Sequence, residues 1–292
     1  MIIVKIEGGL ANRMFQYALY LSLKHKRDDV FLDEKTFRPA WSFEKISLKK
    51  TFPHIDCPEG DLSKFKVETR QGKVAHAIRN IVERFSRKYF FQKEFRFYPE
   101  ILEKQKLPKD VYLRGYWQSE KFFQDVKDEV REAFMFDAFT EKENIETSEK
   151  MQSENSVAIH IRKGKDYMQQ VLTAGTCPKE YYVQAIEYIR ENVENPVFYI
   201  FTDNPEWVKE NLGFIDYTLV NWNPVSGEKN YRDIQLMSCC KHNIIANSSF
   251  SWWGAWLNAT PNKIVIGPKI WFNPEGKIKV VDDIICDKWI SF

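Results

Sequence analysis

The chain has 292 residues, of which 43% are apolar and 15% aromatic, with a formal net charge of +2. That length accommodates a sizeable core and two domains of ordinary size, and the composition excludes a disordered chain. Acidic and basic residues are interspersed and nearly balanced, so no global field points to nucleic acid as a partner.

In chain order, Ile2 to Ile6 reads as a first buried strand because of its β-branched residues. Glu7 to Arg13 follows as a turn with two glycines. Then Met14, Tyr17, Ala18 and Leu21 recur at the spacing of one helix face, and Val30 to Asp33 reads as a second strand. Glycines in the first strand-to-helix loop permit φ > 0 and close approach of a ligand, but the pattern is not G-x-G-x-x-G. Residues 38 to 105 mix charge, aromatics and proline, with a helix expected near Ala75 to Ser86. Val111 to Leu113 reads as a strand and Glu120 to Phe136 as a helix. The polar stretch Thr140 to Ser156 is the candidate linker, dividing the chain into domains 1–150 and 151–292.

In the second half, Val157 to His160 reads as a short apolar strand entering a cationic loop. A helix starts at Pro178, which is tolerated in a first turn. Strands follow at Val197 to Phe201, Tyr217 to Val220, Asn243 to Ala246 and Ile264 to Ile266. Helices are expected from Glu206, from Asp233 through His242, and from Trp252 to Leu257. Strands alternating with helices predict mostly parallel sheets with crossovers, here as two Rossmann-like domains facing a cleft.

Open α/β sheets bind ligands at the carboxyl ends of their strands. The loop Arg162-Lys163-Gly164-Lys165-Asp166 sits at such an end. Arg162 offers a planar fork that matches phosphate, and Lys163 or Lys165 adds a point charge. The reading is a site for an anionic leaving group, a nucleotide pyrophosphate first among candidates; the alternative is a solvated basic turn. Asn247-Ser248-Ser249-Phe250-Ser251, between a strand and a helix, reads as an anion cradle of hydroxyls and free N–H groups or as an ordinary N-cap. Asp233, at a helix start, is a cap or an acceptor for two N–H donors of a guanine edge. Asp203, before Asn-Pro, is a site carboxylate or a turn former. Trp252, Trp253 and Trp256 read as packing.

Gly8-Gly9-Leu10-Ala11-Asn12-Arg13-Met14-Phe15-Gln16-Tyr17-Ala18 is similar to the pattern GGLGNQMFQYA. His160 to Tyr167 is similar to H-x-R-R-G-D-Y. Asp233 to Ser238 and Cys240 to Leu257 follow a long signature of the same family, and Leu113 to Ser119 and Ile266 to Phe272 fit as well. On these motifs the chain resembles bacterial glycosyltransferases of family 11, the α-1,2-fucosyltransferases. The resemblance implies a GT-B type α/β fold and inverting, metal-independent transfer of fucose from GDP-fucose to the 2-hydroxyl of a galactoside; the alternatives are a transferase that uses another GDP-sugar or forms a different linkage, and a non-catalytic GDP- or glycan-binding module. It implies that Arg162 binds the diphosphate, that His160 and Asp203 line the donor site, that Asp233 holds guanine, and that Ser248 and Ser249 contact phosphate. Asn247, Phe250, Gly9 and Asn12 join the expected donor-site set. Arg162, Asp166 and His160 are the catalytic candidates, with Asp166 first as general base, Glu7 a further carboxylate at a plausible position and Asn12 an orienting group. The acceptor side falls to residues 1–150 and GDP-sugar binding to 151–292. The expected partners are GDP-fucose and a galactoside-terminated glycan or lipid-linked oligosaccharide. Two features depart from the family: Ala11 and Arg13 replace Gly and Gln, and Lys163 to Asp166 is one residue longer than R-G-D.

No two aspartates are separated by a single residue, so the Asp-x-Asp pair of metal-dependent sugar transferases is absent and no metal is expected. The five cysteines (57, 177, 239, 240 and 286) form neither C-x-x-C nor a zinc spacing and suit a reducing compartment. No secretory signal and no run near the ~18 apolar residues of a membrane span is visible. The expected location is the cytoplasm. Contact with the inner membrane stays open through the basic-aromatic run Arg84 to Phe91, for which a packed amphipathic helix is the commoner explanation.

Overall fold

The computed structural model describes residues 1–35, 47–65, 87–103, 105–164, 176–227, 229–276, 278 and 280–292. They form two compact units, Met1–Met135 with Asp282–Ile284, and Phe136–Val281 with Ile285–Phe292.

The first unit is built on β1 (Ile2–Lys5), α1 (Leu10–Lys26), β2 (Val30–Asp33), α2 (Leu48–Thr51), β3 (Tyr89–Phe91), β4 (Val111–Arg114) and α3 (Lys127–Ala133). Its strands pair in the order β2-β1-β4-β3, all parallel. β1 is buried along its whole length, as expected of a parallel strand covered on both faces. Of the predicted face of α1, Met14, Tyr17 and Ala18 are buried and Leu21 is partly exposed, while Phe15, Leu19 and Leu23 on other sides are buried too. This helix is wedged between the sheet and the 3-10 turns Glu120–Val126. That region was expected as one helix to Phe136. Phe123, at φ −136°, breaks it into 3-10 turns followed by α3. Tyr89, Phe90 and Phe91 of the basic-aromatic run form β3 instead of a helix, and Tyr89 packs on Phe65 and Tyr112. The helix expected near 75–86 lies outside the described residues.

The second unit runs α4 (Lys142–Ser153), β5 (Ser156–Ile161), α5 (Lys179–Asn192), β6 (Val197–Thr202), α6 (Pro205–Asn211), β7 (Tyr217–Val220), α7 (Tyr231–Cys239), β8 (His242–Ile244), α8 (Ser249–Leu257), β9 (Val265–Gly267) and β10 (Ile290–Ser291). The strand order is β10-β9-β8-β5-β6-β7, again all parallel. β5 lies at the centre with all of its residues buried. Tyr181, Tyr182, Ala185, Ile186 and Ile189 of α5 bury against Val157, Ile159, Ile161 and Ile200. Truncating the fully buried Ile159 to alanine would cost about 2–5 kcal/mol through lost burial and a cavity. Trp252, Trp253 and Trp256 are buried and pack ring on ring, Trp252 stacked on Trp256 and Trp253 edge-on to both, so they are packing residues.

Two expectations are corrected. The stretch 140–156 is not a linker: most of it is α4, whose Asn144, Ser148 and Met151 are buried, and which packs on α7. The division falls between Met135 and Phe136 instead of 150 and 151. After that division Asp137 is tied into the second unit at once, its carbonyl accepting from Gln235 at 2.9 Å and Arg232 at 3.3 Å.

The strand orders fix where ligands fit. In the second unit the chain leaves β5 toward β6 and β7 on one side, and returns to β8, β9 and β10 on the other. In the first unit it leaves β1 toward β2, then crosses to β3 and β4 on the opposite side. The crevice beyond the carboxyl ends at such a reversal is the standard ligand position of an open α/β sheet. The loops at these two points are those after β5 and β8, and those after β1 and β4.

Candidate active site

The loop after β5 is tied to the end of β6 by one carboxylate. Asp203 Oδ1 accepts the backbone N–H of Lys163 at 2.7 Å and of Gly164 at 2.8 Å. Its Oδ2 pairs with Arg162 Nη1 at 2.7 Å. Arg162 remains 39% exposed, a cation presented at the switch point on a rigidly held backbone. Asn204 completes the tie, accepting from Trp207 N–H as the cap of α6 and donating to Lys163 O at 2.9 Å. Asp203, expected to line the donor site, therefore spends its oxygens on the loop that carries Arg162.

Lys163 turns inward. It is buried, its Nζ donates to Thr176 O at 3.1 Å, and it lies over the Trp207 ring at 5.3 Å. Turned to Thr176 and Trp207, it braces the loop and does not face outward as the expected second charge, and burial lowers its pKa. Asn247 is used in the same way. Its amide donates to Thr176 Oγ1 at 2.7 Å and Trp271 O at 2.9 Å, and Cys177 Sγ donates to its Oδ1 at 3.3 Å. Ser248 is the N-cap of α8, accepting from Phe250 N–H at 3.3 Å, while Ser249 opens the helix, which starts three residues earlier than expected. Ser249 and Phe250 are partly exposed beside it. His160 is buried at the end of β5 with its ring 5.8 Å from Phe250. Burial, reinforced by the positive charge of Arg162, depresses its pKa to about 3, so the imidazole is neutral at every working pH. Lys165 and Asp166 lie outside the described residues.

Asp233 sits in the first turn of α7, two residues after its start. Its Oδ1 accepts from Asn223 Nδ2 at 2.9 Å. Burial raises its pKa to about 6, against the lowering effect of that hydrogen bond. The residues behind it, Asn223, Asn144 and Trp222, carry no motif and were not visible as site residues.

At the switch point of the first unit, Glu7 accepts Arg114 through both oxygens, at 2.9 and 3.2 Å, so this candidate base is already committed. Gly8 adopts φ +87°, which a side chain would resist, and Gly9 is the N-cap of α1 with open space on its Cβ side. Asn12 accepts from Gln118 Nε2 at 2.8 Å. Arg13, the departure from the family pattern, donates to Gly8 O at 2.8 Å and lies 3.7 Å from Glu34. It is buried and shapes the loop from beneath. The β4 loop is held by Gln92, whose Oε1 accepts the N–H groups of Tyr116 and Trp117, both at 2.9 Å. Among the described residues there is no group of three or more His, Cys, Asp or Glu placed to hold a metal ion. No helix among them is long and apolar enough to cross a membrane.

The family model described as Glycosyl transferase family 11 matches residues 1–292. The chain is 32% identical over 286 residues to an alpha-1,2-colitosyltransferase of Escherichia coli, covering 94% of this chain and 93% of the relative. It is 30% identical over 313 residues to the O-antigen biosynthesis glycosyltransferase WbnK of Escherichia coli, covering 98% of both. Among solved structures it is similar to NodZ alpha-1,6-fucosyltransferase soaked with GDP-fucose, with a TM-score of 0.55, 13% identity and coverage of 91% and 94%. That likeness shows the fold, an α/β fold of the GT-B type with mostly parallel sheets.

Proposed function

The chain belongs to glycosyl transferase family 11, and from that premise we propose that it transfers L-fucose, with inversion, from GDP-fucose to the 2-hydroxyl of a galactoside. The acceptor galactoside ends a glycan or a lipid-linked oligosaccharide. The observation that carries this reading is Arg162: a guanidinium at the switch point of the second unit, on a loop clamped by Asp203. A planar fork held rigidly suits the leaving diphosphate better than a mobile ammonium does.

In this reading the acceptor hydroxyl attacks the anomeric carbon as GDP departs from the opposite face. Negative charge grows on the β-phosphate, and Arg162 with the amides at the start of α8 stabilises it without reorganising. The absence of an Asp-x-Asp pair supports neutralisation by the protein's own cations and N–H groups. His160, neutral and buried, serves as a wall of the donor site. With Glu7 paired to Arg114, Asp166 keeps the role of general base. The first unit takes the acceptor and the second the donor. The likeness to a colitosyltransferase favours a second reading of the donor, in which colitose replaces fucose. The test is GDP release from GDP-fucose over a panel of β-galactosides with EDTA present. Release that depends on a galactoside supports the reading; no turnover with any of them, or a need for divalent metal, overturns it.

A further inference from the structure

Asn144 is a costly residue where it stands. It is fully buried within α4, and asparagine is a poor helix former whose amide must be satisfied out of water. Its bonds explain it. Trp222 Nε1–H donates to Asn144 Oδ1 at 2.8 Å, Asn144 Nδ2 donates to Asn223 Oδ1 at 2.8 Å, and Asn223 Nδ2 donates both back to Asn144 Oδ1 at 3.0 Å and onward to Asp233 Oδ1 at 2.9 Å.

The direction of this chain is set at one end. An indole N–H donates only, so the Asn144 atom facing Trp222 must be oxygen. The Asn144 amine then faces Asn223, which must turn its own oxygen inward and its amine toward Asp233. Reverse either amide and two like groups meet. The carboxylate thus receives a donor on Oδ1, while among the described residues Oδ2 takes no hydrogen bond and stands ready for a ligand.

We propose that Trp222, Asn144 and Asn223 are positioning residues that aim the Asp233 carboxylate at the base of the nucleotide donor. The proposal rests on the reading above that the donor carries GDP. A guanine edge presents adjacent ring and exocyclic N–H donors, and only a carboxylate fixed in plane and angle accepts both. The charged groups at this end of α7 do not supply that aim: Lys229 and Arg232 are paired with Glu141. A staple holding α4 to the loop after β7 would need the amide pair alone, without the extension to a half-buried acid on α7.

The test is calorimetric titration of the full chain with GDP and with inosine diphosphate, whose base lacks the exocyclic amine. Parent, Asp233→Asn, Asn223→Ala and Trp222→Phe are compared, with melting followed in parallel. Asp233→Asn and Asn223→Ala are expected to weaken GDP about 10- to 100-fold and inosine diphosphate far less, so that the preference between them collapses. Trp222→Phe keeps the ring, removes the polarity-setting donor and should reduce the preference about 3- to 10-fold; it decides the matter where Asn223→Ala fails to fold. If Asp233→Asn loses the preference while Asn223→Ala and Trp222→Phe keep the parental ratio, the positioning role is overturned and Asp233 as base reader survives. If Asp233→Asn keeps the ratio, both are overturned. A parent that binds neither diphosphate sinks the donor reading, and this inference with it.

Discussion

Replacing Gly164 by alanine should undo the loop that presents Arg162. A Cβ at position 164 would lie 2.5 Å from Asp203 Oδ2 and 3.0 Å from its Cγ. Carbon and oxygen tolerate contact down to about 3.3 Å, so the carboxylate must retreat by about 0.8 Å. It is pinned by Arg162 at 2.7 Å and by the two backbone N–H groups at 2.7 and 2.8 Å. A retreat of that size carries the backbone bonds to the limit where a hydrogen bond ceases. Two charge-assisted bonds, worth ~1.5–3 kcal/mol each when intact and here stretched to about half their strength, give about 2–3 kcal/mol. The ion pair to the partly exposed Arg162 adds less than about 1 kcal/mol. Thermal melting should fall by roughly 5–10 °C, and galactoside-dependent GDP release should fall with it because Arg162 loses its fixed position. In an Asp203→Ala background the same Gly164→Ala change meets no carboxylate and should cost under about 0.5 kcal/mol. A Gly164→Ala protein with parental melting and turnover, or one equally damaged without Asp203, would refute this account of the loop.

The remaining predictions follow from the same geometry. Arg162→Lys should lower GDP release about 10²–10³-fold with melting nearly unchanged, since the lost ion pair is partly exposed; parental turnover would remove Arg162 from the reaction. Because burial raises the Asp233 pKa to about 6, donor affinity should weaken as pH drops through 6 and the carboxylate protonates, raising KM with kcat held; His160, depressed to about 3, adds no inflection between pH 5 and 8. For stability the sign reverses: a raised acid pKa disfavours the folded state above pH ~6 and not below its ordinary value near 4, so Asp233→Asn should raise melting at pH 8 and leave it unchanged at pH 4. Lower melting at pH 8 would contradict the burial argument. Gln92→Ala strands two N–H groups in a loop that also holds Trp117 at φ 53°, and should cost about 2–4 kcal/mol, read by chemical denaturation of the parent and variant.

Periodicity made most strands and helices legible, because a buried parallel strand such as β5 and a stripe such as that of α1 leave a plain apolar record. α4 left none. Its segment is polar, and its buried face is made of Asn144, Ser148 and Met151, so a reading by hydrophobic pattern returned a linker. β10 is two residues long and β3 three, too short for periodicity to register. At the site, Arg162, Asp203 and Asp233 were legible as charged residues at element ends. Their division of labour was not. Whether Lys163 faces a ligand or Thr176 depends on a rotamer, and whether Asp203 touches a phosphate or two backbone N–H groups depends on the distance between two loops. Neither quantity is written in residue types. Asn223 and Asn144 were invisible because a buried amide pair has no spacing rule; its members lie 79 residues apart.

The two switch points differ in a way that bears on what each unit binds. In the first, cations are matched at source: Arg114 by both oxygens of Glu7, Arg13 by Gly8 O with Glu34 nearby. What that site offers is a positive-φ glycine, an open N-cap at Gly9 and the amide side chains of Asn12 and Gln118. Such a surface suits a neutral, hydroxyl-rich ligand, for which directional donors and acceptors decide and net charge does not. In the second, one carboxylate fixes the backbone and a guanidinium together, and the guanidinium keeps a solvent-facing side. Asp203 there lowers the cost of holding Arg162 in place before any anion arrives, and it can be outcompeted in charge by a diphosphate carrying more than one negative charge. Rigidity and attraction are thereby separated: the amide of Asn247 and the buried, inward-turned Lys163 hold the loops, while the guanidinium keeps its exposed side. Under the proposed transfer, a cation that had to supply both would leave each turnover to reorder the loop as the leaving group departed, at the moment when a fixed charge matters most.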